Sequence, residues 1–318
     1  AAQTQLNFSR DMEREADRVG FGVLSGAGFD PTGFVTMFDK LQQAARHNDD
    51  GSFPYLRSHP LTTERMADMH SRLPPGEAAA AATVPSTLEH AMVAARARVL
   101  ANPGVDTLRQ WIAEPQGSGF AALPASRRVG VLYAAALGSN QLRDAAGARA
   151  AAKKLEDLVR NDAAAHRLAK LLAAEIELAA GDAAAAVNAL AADATNTTSS
   201  SNRRPELVLR SQALLRAGRA GEGTSALQTW VATHPRDATA WQLLASTWQA
   251  QGQALRAVRA EAEAHAARYD YAAAVDRFKA GQDLARRGGP QVDHIEASII
   301  DTRLRAVESL LREQAAER

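Results

Sequence analysis

Over the first 73 residues, apolar and polar positions fall into helical runs separated by turn residues. Residues 5–25 read as an amphipathic helix, ended by Gly26-Ala27-Gly28. Its charges include like-signed i,i+4 pairs, Asp11 with Glu15 and Arg14 with Arg18, which are mildly unfavourable on an isolated helix. That clustering implies that something other than helix stability selects these residues. Asp30 reads as an N-cap with Pro31 at the first helical position, opening a helix through about Arg46. A polar loop from Asn48 to Ser52 and then Pro54 lead into Ser58-His59-Pro60. Thr62 can cap a last helix, which Pro74-Pro75-Gly76 stops. Residues 1–73 are expected to form one unit.

The next stretch, residues 74–126, reads as a linker and connecting helix. It comprises an alanine-rich segment from Pro75 to Pro85, a helix from Thr87 to Leu100, and an irregular run to about Ser126. From Arg127 onward helices of one to two dozen residues alternate with short turns. The polar, low-complexity run from Thr195 to Pro205 interrupts them. Here a longer period shows. Trp241 stands six residues after Pro235, the offset from the last signature position of one tetratricopeptide repeat to the first of the next. In that register Ala257 and Ala264 take the small-residue positions where paired helices touch. Gly181-Asp182 with Ala186 and Leu190 has the inter-helix turn and second-helix spacing, and Tyr271 to Phe278 reads as the second helix of another repeat. Four to five degenerate repeats are expected between Arg127 and Arg287, with an extra helix from Val292 as a cap, so that 127–318 is a solenoid. An irregular helical bundle is the alternative.

Composition agrees with an all-α chain. Hydrophobic residues make up 46% and aromatics 5%, so much of the apolar content is alanine and leucine. Alanine favours helix and close helix approach, whereas a sheet would draw more on β-branched and aromatic residues. A net charge of +1 offers no global field to recruit nucleic acid. No apolar run approaches the roughly 20 residues of a transmembrane helix. With no cysteine, any zinc here must use histidine and carboxylate.

The first helix carries candidate chemistry. In zinc proteases with a His-Glu-x-x-His helix, two histidines bind the metal, the glutamate is the general base, and a third ligand comes from elsewhere. Glu13 has the context for that third ligand. Asp17 lies one turn further along the same face, where it could accept a hydrogen bond from a ligand histidine. Glu-x-x-x-Asp is also common on solvated helices.

Around this pair stand Phe8 to Gly20, Gly28-Phe29-Asp30-Pro31, and Ser58-His59-Pro60 with Arg65. Together they closely resemble the β-barrel assembly-enhancing proteases, a group within the gluzincin zinc proteases that also include the CAAX prenyl proteases. The resemblance implies the C-terminal part of a helical zincin domain (1–73) followed by tetratricopeptide repeats. It implies a zinc metalloendopeptidase of the periplasm, acting in outer-membrane protein quality control. Its partners would be protein or peptide clients, the β-barrel assembly machinery and outer-membrane proteins. Glu13 corresponds to the glutamate zinc ligand and Asp17 to the carboxylate behind it. His59 matches a loop histidine that reaches the metal as a fourth ligand and acts as an off switch. Arg65 follows on the next helix, placed to approach the site, to steady either an oxyanion or the loop.

The remaining histidines lack ligand spacing and read as surface or packing residues, and Trp230, Trp241 and Trp248 read as repeat packing. None of the eight histidines is followed by glutamate, so the base and both histidine ligands are missing from these 318 residues. The chain by itself is expected not to hydrolyse peptides. A non-catalytic tetratricopeptide scaffold, or an unrelated repeat adaptor, is the competing reading.

Overall fold

The computed structural model describes residues 2–47, 63–73, 87–191, 203–289 and 292–316. Every regular element among them is helical. The chain divides into two compact units, residues 1–85 and 86–318.

The first unit holds α1 (Ala2–Gly26), α2 (Thr32–His47) and α3 (Thr63–Ser71). Gly28 ends α1 at φ 78°, a left-handed conformation that costs a glycine little, while Phe29 N–H donates back to Leu24 O at 3.2 Å. The Asp30 side chain accepts from Thr32 N at 2.9 Å and Thr32 Oγ1 at 2.5 Å, so it caps as expected. The helix itself begins at Thr32, one residue later than the proline suggests.

Val35, Phe38 and Met69 form a small core with Phe34 and Leu73 packed against it, which joins α2 to α3. An edge-to-face contact between Phe21 and Phe34, with centroids 5.9 Å apart, ties α1 to that core. Gly20 lets the ring approach: a Cβ there would lie 3.3 Å from Phe34 Cε2. The like-signed charges on α1 resolve differently from their i,i+4 pattern. Arg14 pairs with Asp11 at 3.3 Å and Arg18 with Glu15 at 2.5 Å, both i,i+3. Their clustering therefore needs no functional cause, although exposed pairs of this kind add only tenths of a kcal/mol.

In the second unit α4 (Leu88–Leu100), capped by Thr87, and α5 (Val105–Ala113) precede two short 3-10 turns. Met92, Val99 and Leu108 are buried in one core with Val129, Leu137, Leu155 and Leu172, so this part of the 74–126 stretch belongs to the packed body. Ten helices follow as five pairs among the described residues. These are α6 (Ala125–Gln141) with α7 (Ala145–Val159), α8 (Ala163–Ala180) with α9 (Ala183–Ala189), and α10 (Arg204–Arg216) with α11 (Gly221–Thr233). Then come α12 (Ala238–Ala250) with α13 (Ala254–Ala266), and α14 (Tyr271–Arg287) with α15 (His294–Ala316). Each helix packs on the next, and α6, α8, α10 and α12 also touch in succession. The unit is thus the helical solenoid that the periodicity implies, built from a series of local cores.

The helices begin cleanly because Asp144, Asp162, Asp182, Asp237 and Asp270 each cap one, accepting from an amide three residues on. From Arg204 the first helices of successive pairs start at 204, 238 and 271, steps of 34 and 33 residues, the length of a tetratricopeptide unit. The Pro235–Trp241 offset has a physical basis: Trp241 Nε1 donates to Pro235 O at 2.9 Å, pinning the helix to the preceding turn. Ala257 and Ala264 are buried between helices, at 1% and 0% exposure.

Two details differ from the sequence reading. Tyr271 to Phe278 opens the first helix of a pair rather than lying in a second helix. The helix expected as an added cap, α15, packs against it as its partner, around Phe278, Ile300, Leu304 and Val307. Arginine–carboxylate pairs bridge helices that are not consecutive in the chain, among them Arg96 on α4 to Glu175 on α8 at 2.7 Å, Arg167 on α8 to Glu206 on α10, and Arg303 on α15 to Glu263 on α13 at 2.6 Å. No described helix is long and apolar enough to cross a membrane.

Candidate functional site

Glu13 and Asp17 sit one turn apart on α1 and face inward, their side chains 14% and 6% exposed. On α1 alone that would be costly, since two carboxylates out of water repel each other and lose hydration. Arg65 on α3 compensates. Its Nε donates to Asp17 Oδ2 at 2.7 Å and its Nη2 to Asp17 Oδ1 at 2.8 Å, a two-pronged pair. Its Nη1 lies 3.1 Å from Glu13 Oε2. One guanidinium therefore holds both carboxylates, and its own face lies over the Phe38 ring at 5.5 Å. The small core of α2 and α3 positions Phe38 and Arg65, and the Phe34 contact at Gly20 fixes α1 against them.

Of the four residues expected at the site, the structure brings Glu13, Asp17 and Arg65 together. His59 lies outside the described residues. Both Asp17 oxygens are bonded to Arg65, and Arg65 is buried at 6% exposure with its charge spent on carboxylates. Within this chain Arg65 thus joins the two carboxylates. Sequence reading placed it near the site without finding its partners. Nothing local signals them, because Asp17 is 48 positions away.

The described residues do not complete a metal site. Among them no three His, Cys, Asp or Glu side chains gather closely enough to hold an ion. Glu13 carries a carboxylate, a group of the type that binds zinc, and its Oε2 lies beside Arg65. Other histidines lie beside single carboxylates: His70 with Asp39 at 3.7 Å, His166 with Glu156 at 3.5 Å, and His265 with Asp270 at 3.4 Å. Each is a single pair, of the kind expected for surface and packing residues.

The second unit contains a cleft of about 600 Å³ where α10, α11 and α12 meet. Trp230, stacked on His234 with ring centroids 3.8 Å apart, forms one wall, and Arg204 and Arg236 stand at its rim. Asp237 accepts from Arg204 at 2.7 and 3.0 Å and from Trp230 Nε1 at 2.9 Å. The hydrogen bonds from Arg204, above all, hold the Asp237 carboxyl down to about 2. Trp230 thus packs against the repeat core, as expected, and lines a cleft as well.

In the first unit, then, a partly buried glutamate and a buried aspartate one turn on share an arginine from a later helix. Residues 1–73 match Peptidase family M48. Over 70 residues the chain is 39% identical to the beta-barrel assembly-enhancing protease of Escherichia coli (strain K12), covering 22% of this chain and 14% of the relative. It is 37% identical over 70 residues to the putative beta-barrel assembly-enhancing protease of Vibrio cholerae, again 22% of this chain and 14% of the relative. With the beta-barrel assembly-enhancing protease of Yersinia pestis the identity is 35% over 72 residues, 23% of this chain and 15% of that protein. The chain thus spans only 14 to 15% of the length of these relatives. The N-terminal segment thus resembles part of a peptidase of that family.

Proposed function

We propose that this chain is the C-terminal portion of a zinc-dependent metalloendopeptidase of the periplasm, acting in outer-membrane protein quality control. The observation that supports it best is the Glu13–Arg65–Asp17 arrangement, which lies wholly within the segment similar to Peptidase family M48. In the complete enzyme Glu13 supplies one zinc ligand, with the remaining ligands coming from outside the described residues. Asp17 and Arg65 hold the Glu13 helix in place, and His59 is the loop ligand that silences the site at rest. The helix pairs are tetratricopeptide repeats that dock protein or peptide clients, outer-membrane proteins or their assembly machinery. The cleft at Trp230 and Arg236 offers such a segment an aromatic wall and a positively charged side chain.

The test is zinc content and casein turnover of the full-length gene product and its Glu13→Ala variant. Loss of both metal and proteolysis is expected, because one protein ligand of a site holding few is gone. If zinc and turnover survive the substitution, Glu13 is not a ligand and the assignment fails. If the unsubstituted full-length protein binds clients but neither holds zinc nor cleaves, the non-catalytic scaffold is the correct reading.

A further inference from the structure

The cleft between α10, α11 and α12 is lined by three polar groups that the helix pairs leave unused. Arg236 is exposed, and its guanidinium has no hydrogen-bond or ion-pair partner among the described residues. The hydroxyl of Thr239, half-buried in the lining, has none among them either. His234 is oriented through Nδ1, which lies 3.2 Å from Trp230 O and 2.9 Å from Thr233 Oγ1. A carbonyl only accepts, so Nδ1 carries the hydrogen and Nε2 of the neutral ring is left as an acceptor. The carboxylate in the lining is already compensated, since Asp237 accepts from both Arg204 and Trp230. Arg204 and Arg236 against Asp237 leave the cleft an excess of positive charge.

We infer that this cleft takes an internal acidic segment of a protein client, in which an aromatic residue is flanked by aspartate or glutamate. The inference rests on the reading of the helix pairs as a docking module and is independent of the zinc site. The segment's aromatic ring packs on the flat surface of the stacked Trp230 and His234. A neighbouring carboxylate pairs with Arg236 and accepts from the Thr239 hydroxyl, and a backbone N–H of the segment donates to His234 Nε2. The charge excess selects acidic segments over basic ones, and the stacked rings select aromatic side chains over polar ones. The cleft is open to solvent, so a chain can run through it, and its volume of about 600 Å³ accommodates one aromatic side chain with its neighbours.

Fluorescence anisotropy of the chain with a labelled Gly-Asp-Phe-Asp-Gly peptide, acetylated and amidated at its ends, tests this. Binding is expected, and is expected to weaken by about fivefold when asparagine replaces both aspartates and when alanine replaces the phenylalanine. Arg236→Glu, checked for folding by circular dichroism, is expected to weaken binding by about tenfold and to bind the Gly-Lys-Phe-Lys-Gly counterpart better than the wild type does. Equal affinity for the aspartate and asparagine peptides overturns the inference, as does an Arg236→Glu variant that binds like the wild type. Binding that requires a free C-terminal carboxylate on the peptide overturns the internal segment in favour of a chain end. If the peptides fail to bind while an outer-membrane β-barrel protein diluted from urea still binds the chain, the cleft assignment falls alone. If neither binds, the docking reading falls with it.

Discussion

Arg65 grips both carboxylate oxygens of Asp17, at 2.7 and 2.8 Å, across 48 residues of chain, and the same guanidinium reaches Glu13 at 3.1 Å. All three groups are largely buried, so the arrangement is one electrostatic unit and its parts are not equivalent. Replacing Arg65 with methionine leaves two carboxylates without their shared cation, at an expected cost of about 3–5 kcal/mol. Replacing Asp17 with asparagine leaves Arg65 its contact with Glu13 and is expected to cost about 1–3 kcal/mol. Urea unfolding of both variants, followed by a probe in the first unit, gives the order. Equal losses would mean that the Glu13 contact contributes nothing.

Ala257 lies at 1% exposure in the core shared by α10 to α13. Ala257→Trp is expected to overpack that contact and destabilise the second unit by about 1–3 kcal/mol. Thermal unfolding measures it. An unchanged midpoint would show that the helices part easily at this position.

Asp237 links the end of one helix pair to the start of the next, and Arg204 holds its carboxyl down to about 2 from an ordinary value of 3.8. A carboxyl lowered by folding stabilises the folded state above its unfolded value and loses that contribution as pH falls through the folded value. At pH 7 the contribution is about 2 kcal/mol. The stability gap between the wild type and Asp237→Asn is therefore expected to be full above pH 5 and to narrow steadily between about pH 4 and 2. Denaturant titrations down that range, read by tryptophan fluorescence because Trp230 donates to Asp237, would follow it. A gap independent of pH would mean that the pair is not what the substitution removes.

The switch assigned to His59 has a distinct signature in the full-length gene product. His59→Ala is expected to keep zinc and to raise basal proteolysis, self-cleavage included, since a fourth ligand is dispensable for binding and obstructive for catalysis. Metal analysis beside casein turnover decides it. Retained zinc without a gain in activity makes the loop merely structural.

Local chemistry could be read from the chain. Asp30 caps α2 and Gly28 ends α1 because each solves a backbone problem within four residues. The step from Pro235 to Trp241 marked the repeat because an indole six residues on reaches that carbonyl. In the register set by that step, the small side chains of Ala257 and Ala264 signalled a close helix contact. The sequence also singled out Glu13 and Asp17 by type and spacing, and Arg65 through the resemblance alone. Their mutual arrangement was another matter. Whether Arg14 and Arg18 repel each other or pair with Asp11 and Glu15 depends on rotamers, and i,i+3 won over i,i+4. The pairing of α14 with α15 depends on which helices share Phe278 and Ile300. That Arg65 spends its charge on Asp17 and Glu13 follows only once α3 packs on α2 and the Phe34 ring seats α1 at Gly20. No periodicity encodes a contact between residues 48 apart, because only the folded core brings them within hydrogen-bonding distance.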